Sequence, residues 1–115
     1  MRYVPSTRAE LIEMVRDLSI CLGDIDTSKI TDMSSLFWQS FRTDYTGIET
    51  WDVSNVTNME NMFRHIFFVE AADLKDWDVS NVRNMRAMFT GTRNLISDLS
   101  GWDVSAVTVQ TLTRI

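Results

Sequence analysis

The hexapeptide Trp-Asp-Val-Ser-Asn-Val occurs at residues 51–56 and again at 77–82. A close relative, Trp-Asp-Val-Ser-Ala-Val, stands at 102–107, and a worn copy, Ile-Asp-Thr-Ser-Lys-Ile, at 25–30. The copies begin 26, 26 and 25 residues apart. A fixed period of this size is the mark of a stacked-repeat architecture. Each unit is too small to bury its own apolar face, so neighbouring units must supply the core for one another.

Numbering each unit from its first hexapeptide residue puts the apolar positions in register. Ile25, Trp51, Trp77 and Trp102 form one set, and Met33, Met59 and Met85 another, eight residues later. Phe37, Phe63 and Phe89, twelve residues in, form a third. Val53, Val79 and Val104 recur two residues in, with Thr27 as the polar exception. These sets are expected to run as inward stacks along one axis. The offsets of five, eight and twelve residues fit a short helical turn at 32–37, 58–63 and 84–89. Thr31 and Thr57 stand where its N-cap belongs, and Arg83 breaks that pattern in the third unit. Residues 48–53, 74–79 and 99–104 are the best strand candidates, one short parallel strand per coil.

Ahead of the repeats, Thr7 and Glu10 spell a capping box. Leu11, Val15 and Leu18 then fall at helical spacing. A helix over 7–19 is expected to cover the first coil, with Gly23 ending the excursion. The units are then 22–47, 48–73 and 74–98, with a degenerate last repeat at 99–115. The expected fold is an α/β repeat in a single domain spanning residues 1–115: a short solenoid of about 3.5 coils with an N-terminal capping helix.

Composition narrows the function. A net charge of −5 argues against nucleic acid as a partner, because neutralising phosphates supplies most non-specific affinity. One cysteine, Cys21, and one histidine, His65, leave no intrachain disulfide and no Cys/His metal cluster. No apolar run approaches roughly 18 residues, so no membrane insertion is expected, and the N-terminus shows no signal-peptide core. On that reading the chain as given is cytoplasmic. The recurring Asp26, Asp52, Asp78 and Asp103 would form a ladder able to hold calcium between coils. The preferred reading is that they close turns by bonding nearby backbone amides, which every unit needs. No cofactor is expected, and with a single imidazole and no phosphate-cradling glycine loop, no enzyme activity is expected either.

The run Trp-Asp-Val-Ser-Asn-Val-Thr-Asn-Met with Met-Phe after two further residues, at 51–63, resembles a known bacterial repeat. It is similar to the repeat of about 25 residues in BspA-family leucine-rich-repeat surface proteins, also called the DUF285 repeat. The resemblance covers 22–108 and implies a right-handed leucine-rich-repeat-like solenoid, without catalytic residues, in proteins placed at the cell surface or secreted. This chain departs from the pattern in the second halves of its units. It also departs after Val107, where Gln110 and Thr113-Arg114 replace the expected Met and Met-Phe.

Repeated letters build a scaffold; irregular letters on one face select a partner. The irregular stretches contain Trp38, Phe41, Arg42 and Tyr45, then Arg64, Phe67 and Phe68. Aromatic residues with arginine dominate protein interfaces, so these seven are the candidate contacts of a non-catalytic protein-binding module. Two alternatives stand beside it. One is a small acidic inhibitor covering a basic surface of a nucleic-acid-acting protein; the other is a structural repeat fragment of a bacterial surface protein. The strand-like C-terminal coil lacks a cap, so its own tail, a partner or a second copy in a homodimer must cover it.

Overall fold

The computed structural model describes residues 3–95 and 98–108. Its single α-helix among these residues, α1, spans Arg8–Arg16. Thr7 caps it by accepting the Glu10 amide at 3.2 Å, and the Glu10 carboxylate accepts from the Ser6 amide at 3.1 Å. The carboxylate thus reaches one residue further back than a capping box requires. Leu11 and Val15 are fully buried. The helix stops at Arg16, short of the expected residue 19, and Leu18 is 58% exposed instead of completing the apolar face. Gly23 lies in a separate 3-10 turn, Leu22–Asp24, and does not end α1.

Successive repeats are joined by backbone hydrogen bonds in a parallel sense, centred on the bridges Asp32↔Asn58 and Asn58↔Asn84. Amides of Met33, Ser35 and Phe37 donate to the carbonyls of Asn58, Glu60 and Met62. Met59, Asn61, Phe63 and His65 do the same to Asn84, Arg86, Met88 and Thr90. This disposes of the helical turn expected at 32–37, 58–63 and 84–89. Ser35, Asn61 and Ala87 are left-handed, at φ 54°, 58° and 54°, which breaks a right-handed helix and points the flanking amides at the next unit. Thr31 and Thr57 do not cap: the Thr57 amide and hydroxyl both donate to the Thr31 carbonyl. The side chains of Asp32, Asn58 and Asn84 accept from the amide two residues on, closing each turn.

The strands also differ from expectation. Residues 48–53, 74–79 and 99–104 carry none; Ile48–Thr50 is instead a 3-10 turn. Among the described residues the strands are β1, Phe67–Ala72, and β2, Arg93–Leu95, paired parallel with Phe67 opposite Arg93 and a register irregularity beyond. Val53 and Val79 turn inward without forming a ladder there, which mimics a strand in the sequence.

The core is a set of columns. All ten stacked positions, Ile25, Trp51, Trp77, Trp102, Met33, Met59, Met85, Phe37, Phe63 and Phe89, are buried. Phe37, Phe63 and Phe89 stack at centroid distances of 5.5 and 5.8 Å, their planes nearly parallel. Each lies about as far from the next unit's tryptophan: Phe37–Trp51 is 5.9 Å, Phe63–Trp77 6.0 Å and Phe89–Trp102 6.2 Å. Trp51, Trp77 and Trp102 also staple their units to the previous one, each Nε1–H donating to the carbonyl of Leu22, Ile48 or Leu74 in turn. Asn55 and Asn81 repeat the device toward Ser28 and Ser54. Gly47, at φ 97°, lies so close to the Leu22–Asp24 turn that a Cβ would come within 2.5 Å of the Gly23 nitrogen. In the last unit the columns open: Val53 and Val79 are 1% exposed, but Val104 is 44% exposed. The C-terminal end expected to support a homodimer lies largely beyond residue 108, outside the described residues.

Candidate functional site

The seven candidate contacts divide sharply by burial. Phe41 is 89% and Phe67 58% exposed, large apolar surfaces left in solvent. Trp38 and Arg64 are half-buried and paired, the Arg64 guanidinium carbon 4.6 Å from the Trp38 ring centroid. That is a cation–π stack, which fixes both side chains on the surface. Trp38 and Arg64 occupy the same register in successive units, so the ladder that joins the units also brings them together.

Arg42, Tyr45 and Phe68 do not belong to that surface. Phe68 and Tyr45 are 0% and 1% exposed, and their rings meet edge to face at 5.0 Å. Tyr45 also meets Phe37 at 5.1 Å, and Phe68 meets Phe63 at 5.5 Å, so both extend the phenylalanine column inward. Arg42 is 7% exposed and is a structural clamp. Its Nε donates to the Val15 carbonyl at 3.0 Å, and one Nη donates to the Asp17 and Ile20 carbonyls at 2.9 Å each. These are carbonyls at and beyond the C-terminal end of α1, where a helix lacks partners and favours a cation. Arg42 and Phe68 share one register, directly after the exposed Phe41 and Phe67. Adjacent residues in extended chain face opposite ways, which separates the pair.

Two residues absent from the candidate set join the surface. His65 is exposed, its ring 6.3 Å from the Trp38 ring and edge-on to it. Its backbone is left-handed at φ 61°, as is Gly91 one unit on at φ 69°. A Cβ at Gly91 would stand 2.4 Å from the His65 Nδ1, so the histidine lies directly over that glycine. Arg93, exposed, is the register partner of Phe67. Carrying the hexapeptide register on through the variable halves places both, His65 level with Gly91 and Arg93 level with Phe67.

The aspartate ladder behaves as a set of turns. Asp26, Asp52, Asp78 and Asp103 each accept the amide of the serine two residues on, at 3.0 Å in every unit. Ser80 bonds to Asp78 through both hydroxyl and amide, which holds that carboxyl below its ordinary value of 3.8. Ser105 does the same to Asp103. Among the described residues no group of three or more His, Cys, Asp or Glu is arranged to hold a metal ion. Nor is any helix there long and apolar enough to cross a membrane.

A family model described as a Mycoplasma protein of unknown function, DUF285, matches residues 9–113. No curated protein and no solved structure matches the chain.

Proposed function

The chain belongs to the DUF285 family, and from that premise we propose that it is a non-catalytic protein-binding module of leucine-rich-repeat-like, right-handed solenoid architecture. The parallel hydrogen bonds between successive units and the stacked phenylalanine column support the solenoid reading. α1 serves as its N-terminal cap, tied to the first unit by Arg8, whose Nε donates to the Ser34 carbonyl, and by Arg42. The observation that carries the binding reading is the exposure of Phe41 and Phe67 beside the stacked Trp38–Arg64 pair. Aromatic rings and arginine supply most of the binding energy of protein interfaces, and a ring already held, as Trp38 is by Arg64, loses little freedom on binding.

Capture of a partner by the immobilised chain, followed by titration of that partner against variants, tests the reading. Phe41→Ala and Phe67→Ala together should weaken binding by about 2 kcal/mol or more, with little response to salt. The acidic-inhibitor alternative draws on Asp52, Asp78 and Asp103, all exposed. It predicts the opposite pattern, affinity that collapses with salt and ignores both phenylalanines. A structural fragment of a surface protein would capture nothing.

A further inference from the structure

Part of each variable segment differs from the rest of the chain in charge, although Asp44 and Asp73, further along, are exposed. Residues 38–41, 64–67 and 90–93 contain no Asp or Glu, although the chain has 16 of them against 11 Lys and Arg. The same segments carry Arg64, His65 and Arg93. The recurring carboxylates Asp26, Asp52, Asp78 and Asp103 belong to the hexapeptide turns instead.

Among the described residues neither arginine of this face has a side-chain hydrogen bond or ion pair, and Arg64 is held by its stack on Trp38. Among the described residues the ion pair is Lys75–Asp73 at 3.9 Å, and it involves neither Arg64 nor Arg93. The Arg64 Nε is buried without an acceptor while its plane lies against Trp38. This contrasts with Arg42, whose donors are taken up by the carbonyls of Val15, Asp17 and Ile20. A guanidinium stacked on an indole can still offer its outer Nη donors, in the fork geometry that matches a carboxylate. Arg93 stands opposite Phe67 in the β1–β2 register, so a second cation lies beside an exposed ring.

Resting on the protein-binding reading above, we propose that the face formed by Trp38, Arg64, His65, Phe67 and Arg93 docks an acidic segment of a partner protein. Carboxylates of that segment pair with Arg64 and Arg93, and its apolar side chains cover Phe67. Charge complementarity selects this occupant: a basic segment would find no carboxylate on this face, and a neutral one would leave two guanidiniums unpaired under it.

Selection of a randomised display-peptide library against the folded full chain tests this. The expected result is enrichment of peptides in which Asp or Glu flanks an apolar residue. Arg64→Gln combined with Arg93→Gln should weaken those peptides about tenfold or more, and so should Phe67→Ala, while thermal unfolding of each variant stays at the wild-type temperature. Selected peptides without acidic enrichment that still need Phe67 would overturn the acidic occupant and leave the aromatic reading standing. Peptides indifferent to Phe67 and to both arginines, or no enrichment at all, would overturn both. Binding of oligouridylate lost in the double Gln variant would overturn the proposal in favour of a nucleic acid.

Discussion

Each unit of this chain has a regular half and a variable half, and the two use the same residue types for opposite ends. In the regular half, Phe63 is completely buried and touches Phe37, Phe68, Trp77 and Phe89. In the variable half, Phe67, four residues later, stands 58% exposed. Even within the variable half, Arg42 turns inward and bonds carbonyls near the end of α1, whereas Arg64 lies on the surface against Trp38. What separates them is register. The ladder fixes one direction for each repeat position, so a residue's offset decides its fate more than its chemistry does.

The contrast breaks most visibly in stability. Phe63→Ala should cost about 3–5 kcal/mol, because it empties the centre of the ring column, whereas Phe67→Ala should change stability by about 0.5 kcal/mol or less. Urea unfolding of both variants checks this, and similar losses for the two would erase the distinction between halves. Next in size, Arg42→Ala should cost about 2–3 kcal/mol and fray α1, read by hydrogen exchange at its last turn. Arg42→Lys should not restore it, since one ammonium cannot reach three diverging carbonyls.

Tyr45 provides a smaller effect of opposite sign. Its hydroxyl is buried without a partner, so Tyr45→Phe should leave stability unchanged or raise it by about 1 kcal/mol. Burial also pushes the phenol from 10.0 up to about 12. Because the folded value is the higher one, the contribution is intact below pH 10 and lost as pH rises from 10 toward 12, a dependence that Tyr45→Phe should remove. Smallest of all is the acid side of the regular half. Asp78 titrates below 3.8 because Ser80 bonds its carboxylate. The associated stability is therefore present above 3.8 and lost as pH falls through the folded value. Ser80→Ala should bring the Asp78 midpoint, followed by carboxyl NMR, back toward 3.8.

The columns were legible in the sequence because they depend on a single number, the period. Trp51, Met59 and Phe63 and their counterparts needed only to be set in phase. The Thr7–Glu10 cap was legible because it is local. The turns at 32–37 and its equivalents were not, since apolar offsets fit a helix while the left-handed Ser35, Asn61 and Ala87 send hydrogen bonds to the next unit. The strands were displaced for a related reason: Val53 and Val79 are inward without being paired. Arg42, Tyr45 and Phe68 look like surface in the sequence because irregular aromatic and cationic letters suggest an interface. Their partners, at residues 15–20 and in the phenylalanine column, are brought near only by stacking. His65 and Arg93 were overlooked because their significance is positional, one over Gly91 and the other beside Phe67.

The claim that recognition belongs to the variable half is tested most directly by titrating a captured partner against two matched variants. One carries Phe41→Ala with Phe67→Ala, and the other Asp52→Asn with Asp78→Asn, each first shown to unfold at the wild-type temperature. The account predicts that the first loses binding and the second keeps it. Binding that survives the loss of both phenylalanines but fails with the aspartates would contradict it.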